Sequence, residues 1–273
     1  MKNRKSAAAA KIAAMLTMII FSGMLFTACG DSGAQGGTAP ASENGAVSGE
    51  TTAALLEDAE ILNFIPPVKG EKIAVISVRD YGDIKIKLFP EAAQAGVDNF
   101  VGLAEMNYYD ELIFHRIIPD FMIQGGDPRG DGKGGSSLWG GKFDGGIPEG
   151  LYHFSGAVAY ANSEGPTTNG SQFYIVNSPE RFIYSGSYYD EDGNIQYVEN
   201  FFEQIGYNCP ANIREMYREK GGTPHLDGGY TVFGQVFEGM DIVRSISGVE
   251  TGDNDKPLTQ VVMDTVRIVE YEG

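Results

Sequence analysis

Cysteine is nearly absent: the chain has two in 273 residues. That excludes a framework of several disulfides. Histidine is almost as sparse, at three, which leaves little room for a His-rich metal centre. There is one tryptophan, Trp139. Positive charge is also short, with 20 Lys and Arg against 37 Asp and Glu, a formal net charge of −17. This balance disfavours nucleic acid as a partner, because phosphates are held by clustered Lys and Arg. It equally disfavours electrostatic docking on an anionic membrane. No internal repeat supports a repetitive surface protein. Glycine and proline are plentiful, at 37 and 12, and point to many tight turns rather than a helical bundle. Hydrophobic residues make up 42%, enough for a sizeable core.

The scarce basic residues begin unevenly. Lys2, Arg4, Lys5 and Lys11 precede an apolar run from Ile12 to Phe26, broken by Thr17, Ser22 and Gly23. Small residues Thr27 and Ala28 then lead to Cys29. This pattern predicts a signal peptide over 1–28. The run is short for a transmembrane helix, and no positive stop follows it. Cys29 after small residues resembles the lipobox of bacterial lipoproteins, although Phe26 stands where an aliphatic residue is usual. The resemblance implies a lipidated Cys29 and a protein exported and anchored on the extracytoplasmic side of the cell membrane. Two acyl chains make such an anchor stable. Cleavage leaves 16 basic residues against 37 acidic ones, a charge near −21. Gly30 to Thr52 is rich in Gly, Ala, Ser and Thr and reads as tether, so residues 29–65 form a flexible linker. Leu55–Ile65 is expected to hold a short helix ended by Pro66-Pro67.

The folded domain is expected over 66–273. Ile73–Val78 and Ile84–Leu88 read as a hairpin around Asp80-Tyr81-Gly82-Asp83. Ala92–Met106 has helical spacing, with Val97, Phe100, Val101 and Ala104 on one face. Strand-like runs follow at Leu112–Ile118, Phe121–Gln124, Gly156–Ala161, Gln172–Val176 and Thr231–Val236, then a helix at Met240–Ile246 and a strand at Val261–Glu270. The reading is mainly β: a closed eight-stranded antiparallel barrel capped by two α-helices.

Four segments carry more specific information. They are Phe114-His115-Arg116-Ile117-Ile118-Pro119-Asp120-Phe121-Met122-Ile123-Gln124-Gly125-Gly126-Asp127-Pro128, Gly165–Ile175, Leu226–Gly228 with Val232–Val236, and Asn99–Leu103. In this order they resemble the cyclophilins, the peptidyl-prolyl cis/trans isomerases. The resemblance implies the same barrel and an enzyme acting on proline-containing polypeptides and unfolded exported proteins.

That chemistry rotates a partly double C–N bond over a barrier of about 20 kcal/mol. Rotation leaves a lone pair on the proline nitrogen, which a well-aimed donor stabilises. It requires no cofactor and no metal. The resemblance gives the catalytic role to Arg116. Taken alone, an Arg in an apolar strand equally well makes a structural ion pair with an aspartate. Phe121, Met122, Tyr174 and Leu226 match the proline pocket, with Tyr174 standing where Phe is usual. Gln124, Ala161, Asn162 and Gln172 match residues along the substrate backbone. His115 reads as supporting structure. His225 stands where many eukaryotic members have Trp, which implies weak cyclosporin binding, and Tyr230 stands where His is common. The other reading is an extracytoplasmic polypeptide-binding chaperone with little isomerase activity.

Three spellings are set aside. Gly130–Gly135 spells G-x-G-x-x-G without the strand before it and helix after it that a dinucleotide site needs. Asp190–Asn194 lacks the spacing of a calcium loop and is expected to be a hairpin turn. Asn169-Gly170-Ser171 reads as an accidental glycosylation sequon. An insertion relative to the family spans about 179–222. It is expected to hold a tyrosine-rich hairpin and a helix near Asn212–Lys220, and either rims the pocket or elaborates a remote surface. Cys209 lies within it, with nothing to mark it as reactive.

Overall fold

The computed structural model describes residues 58–179, 202 and 206–273, all within one compact unit, Ala53–Gly273. Cys29, the leader, the tether to residue 57 and the 188–198 hairpin lie outside the described residues.

Among the described residues the architecture is mainly β, with eight antiparallel strands in a curled sheet and the three α-helices named below. In chain order the elements are β1 (Lys72–Val78), β2 (Gly82–Leu88), α1 (Pro90–Glu105), β3 (Arg116–Ile118), β4 (Met122–Gly125), β5 (Ala157–Tyr160), β6 (Phe173–Val176), α2 (Ala211–Lys220), β7 (Val232–Glu238), α3 (Met240–Ser247) and β8 (Met263–Glu270). Spatial order is β3-β4-β6-β5-β7-β2-β1-β8. The ladder ends at β3 and β8, which do not pair with each other. The sheet is therefore a curled half-barrel, and the closed ladder expected from the strand count is not formed. The segments ahead of the two edge strands do meet, at the single bridge Ile113–Val262.

All eight predicted strands are present, within a few residues. Leu112–Ile118 differs most: its first half turns to Val262 and only Arg116–Ile118 joins β4. One run of apolar residues thus serves two neighbours. Residues 58–65 hold no helix. Instead they lie as a strap on the domain, because polar anchors fix them there. Leu62 N–H donates to Gly150, and buried Asn63 bonds Gln235 and Tyr152. Lys87, also buried, reaches Pro66 O and the Glu71 carboxylate. Burial would raise the Glu71 pKa, but the Val68 N–H and Lys87 outweigh it and lower it.

The core follows from alternation. Ile117, Ile123, Ile175 and Val158 are cross-strand neighbours and fully buried. Phe100 of α1 packs edge-on against Phe173 and tilted on Phe233. Asn99 is buried beside it for a polar reason. Its Nδ2 donates to Tyr160 Oη and Gly170 O, while its Oδ1 accepts the Leu138 N–H. It ties α1 to β5 and to the Gly-rich loop. α2 starts one second, smaller core with Phe154, Phe202, Cys209, Ile213 and Tyr217.

Candidate active site

Residues paired across an antiparallel ladder share a face. Arg116 pairs with Gln124, Gln124 with Tyr174, and Tyr174 with Ala159, so one cross-strand file runs over four strands. It lies on the side opposite the isoleucine core. Met122, two residues before Gln124, faces the same way.

Arg116 sits at the open end of this file, on edge strand β3, with its side chain 30% exposed. Its Nε lies 3.5 Å from Asp255 Oδ2. The aspartate that a structural ion pair would supply is therefore present. The terminal Nη groups have no protein partner among the described residues. Asp255 holds the stem of the guanidinium and leaves its fork free. The neighbouring His115 is buried with both ring nitrogens unpartnered in the protein. Burial pushes its pKa below 6.5, against the pull of Asp127.

Gln124 Nε2 donates to Gln172 Oε1 at 2.9 Å. Gln172 Nε2 donates in turn to Gly132 O and Gly134 O in the Gly-rich loop. That loop is wound around a carboxylate rather than a phosphate. Buried Asp127 accepts the N–H groups of Arg129, Asp131 and Gly132. Burial would raise its pKa, but these donors, with that of Gly134, lower it.

Beyond Gln124 the face becomes apolar. Met122 and Tyr174 are buried there, on the opposite side of the sheet from Ile117 and Ile123. Aromatic side chains cover them. Phe121 stacks on His225 at 6.0 Å, and Tyr174 meets Tyr230 edge-on at 5.9 Å. Leu226, half-buried, packs against the main core. The Tyr174 hydroxyl has no hydrogen-bond partner among the described residues, and burial drives its pKa well above 10. His225 is exposed at the rim.

Ala161 and Asn162 continue β5 past the file. Ala161 N–H donates to Gln172 O. The Asn162 side chain is spent in its own turn, accepting from Gly165 N–H and donating to Asn169 Oδ1 and Gly229 O. Its backbone N–H and C=O remain unbonded among the described residues. The structure thus links Arg116, Gln124, Gln172 and Tyr174 across one face, with Phe121 on His225 and Tyr174 on Tyr230 in ring contact. Cys29 lies outside the described residues. Asn169 of the sequon is fully buried and bonded to Thr231 and Pro166, so no sugar reaches it in the folded chain. Sequence reading missed Asp255 and Asp227, whose partners are remote in the chain; a later section returns to Asp227.

A curled sheet carries an apolar patch, two linked glutamine amides and a guanidinium held at its Nε by Asp255 on one face. Comparison gives the family. Residues 73–268 match the cyclophilin type peptidyl-prolyl cis-trans isomerase/CLD family. A Staphylococcus aureus protein provisionally named a peptidyl-prolyl cis-trans isomerase is 40% identical over 204 residues, covering 74% of this chain and 95% of that one. A Streptococcus pyogenes protein provisionally named a bifunctional phosphatase/peptidyl-prolyl cis-trans isomerase is 43% identical over 201 residues. That match covers 73% of this chain and 39% of the longer relative. A Cryptosporidium parvum cyclophilin type isomerase, solved in the presence of the dipeptide Ala-Pro, superposes with a TM-score of 0.54 at 28% identity. It covers 73% of this chain and 99% of the other. The chain belongs to the cyclophilin-type peptidyl-prolyl cis-trans isomerases.

Proposed function

We propose that the file from Arg116 to Tyr174 is the catalytic face, with Arg116 as the donor to the twisting prolyl nitrogen. The observation that carries this is the divided role of the guanidinium. Its Nε is held by Asp255, and its Nη fork has no protein partner among the described residues. A fixed donor aimed at charge that develops only during rotation stabilises the transition state more than either planar amide. Phe121, Met122, Tyr174 and Leu226 take the proline ring. Gln124 and Gln172, with the free backbone of Asn162, hold the flanking peptide groups, and Ala161 supports that edge. Proline-containing polypeptides are the substrates. The Ile113–Val262 bridge acts as the seam by which the half-barrel keeps its curl. A protease-coupled assay on a short Xaa-Pro peptide, with Arg116→Ala as control, tests this reading. Equal rates for the two proteins defeat it, and polypeptide binding that survives without isomerisation favours a chaperone.

His225 and Tyr230 line the rim. An imidazole offers less apolar area than an indole, so cyclosporin binds weakly. Fluorescence titration is expected to show His225→Trp strengthening cyclosporin binding by about tenfold, the worth of roughly 1.4 kcal/mol. No gain in a folded variant removes His225 from that role.

The workplace is outside the cytoplasm, on newly exported chains, with lipidated Cys29 as the anchor. The basic leader, apolar run and small residues before Cys29 support this. Expressed with its leader in bacteria, Cys29→Ser is expected to lose labelled palmitate and leave the membrane pellet. Wild-type protein found only in the soluble fraction overturns the anchor.

A further inference from the structure

The Asp227 side chain is only 7% exposed, and it directly follows pocket residue Leu226. Its Oδ1 accepts the His153 N–H at 2.9 Å and lies 2.7 Å from His153 Nδ1. Its Oδ2 accepts the hydroxyls of Tyr207 at 2.9 Å and Tyr217 at 2.6 Å. The two oxygens therefore face different parts of the chain. One holds the segment before β5, and the other holds the insertion at and just ahead of α2. Burial and the nearby Asp227 charge raise both tyrosine pKa values, so the hydroxyls stay protonated and donate.

The pocket lies on the other side of the same links. The His153 ring is parallel to the ring of Tyr174, 15° between planes and 6.1 Å between centres. It also meets Tyr230 edge-on at 6.2 Å. Through His153, Asp227 fixes the rings beneath the proline site. Through its own backbone it fixes the Pro224–Leu226 turn that carries His225 and Leu226. A buried carboxylate with four donors has one comfortable position, because moving it leaves several groups desolvated and unpaired.

We propose that Asp227 is a positioning residue that couples the insertion to the substrate pocket, so that the seating of Tyr207 and Tyr217 sets how tightly the pocket grips residues flanking proline. This rests on the pocket assignment above. Tyr207 and α2 then neither rim the pocket nor lie remote from it, but tune peptide binding from behind its wall.

The test uses the full folded domain, one Xaa-Pro peptide and two NMR readouts: the dissociation constant by titration, and the cis/trans exchange rate of peptide at saturation. Asp227→Asn and the double variant Tyr207→Phe with Tyr217→Phe are compared with Asn212→Ala. Asn212 bonds both the N–H and C=O of Ala59, so its loss releases the segment at Ala59 and leaves the Tyr207 and Tyr217 bonds to Asp227 in place. The tyrosine pair is expected to raise the dissociation constant three- to tenfold, and Asp227→Asn at least as much. Exchange at saturation stays within twofold of wild type, and Asn212→Ala stays within twofold on both readouts. A folded tyrosine double variant with wild-type affinity overturns the proposal. So does a parallel loss of both readouts that tracks the folded fraction, which marks a purely structural carboxylate. If Asp227→Asn does not fold, the tyrosine pair decides. The wild-type titration separately tests the pocket assignment: shifts that avoid Tyr174 and Leu226 refute that assignment and the coupling with it.

Discussion

Arg116→Ala is expected to lower kcat/KM for an Xaa-Pro peptide by about 10²–10³-fold, the range for losing one preorganised donor to a transition state. That corresponds to roughly 2.7–4 kcal/mol. The protein's melting temperature should barely move. Arg116 is on an edge strand, partly exposed, and its one ion pair is long, at 3.5 Å, so little folding energy depends on it. Peptide affinity should also change much less than turnover, because the ring pocket and the amides are left in place. Stopped protease-coupled kinetics and thermal melting on the same preparation check both halves. A variant that keeps wild-type turnover removes Arg116 from catalysis. A variant that loses turnover only because it unfolds does the same.

The second large effect is on folding. Asp127→Ala is expected to cost about 2–4 kcal/mol, since several backbone N–H groups lose the one buried carboxylate that they share. For a domain of this size that is a fall of roughly 5–15 °C in melting temperature. Activity should fall as well, because the carbonyls of Gly132 and Gly134 hold Gln172, which holds Gln124. The pH dependence has a definite sign. The Asp127 pKa is lowered by folding, so the folded chain binds its proton less readily than the unfolded chain. Its stabilisation is complete above the ordinary carboxylate pKa of about 4 and is lost as pH falls through the lowered folded value. Melting curves below about pH 4 should therefore steepen for wild type relative to Asp127→Asn. Equal acid sensitivity in the two proteins contradicts this account.

Much of the site was legible because its residues are close in sequence. The run from Phe114 to Pro128 supplies Arg116, Phe121, Met122 and Gln124 on one tight hairpin, β3–β4. Period-two alternation then sends Arg116 and Gln124 to one side and Ile117 and Ile123 to the other. Tyr174 is legible in the same way, as the residue of β6 opposite Gln124. Its unpartnered hydroxyl follows from placing Tyr where the family has Phe. Asp255 was not legible. It lies far along the chain in a short turn, and nothing local distinguishes it from Asp253. The missing helix at 58–65 has a similar cause. Local propensity favoured a helix, but Asn63, Leu62 and Pro66 gain more as an extended strap bonded to distant groups.

The sequence alone therefore determined the elements, their alternation and the chemistry-bearing motif, because these depend on neighbours one to a dozen residues away. It also carried the basic and apolar N-terminal pattern ahead of Cys29 on which the proposed export rests. Tertiary structure alone decided which carboxylate holds Arg116 and which donors converge on Asp227. It also decided that Tyr207 and Tyr217 are bonded to Asp227 and that the sheet curls without completing its ladder. Those contacts join segments remote in the chain. Their energies are realised only when the sheet brings the segments together and excludes water from the polar groups between them.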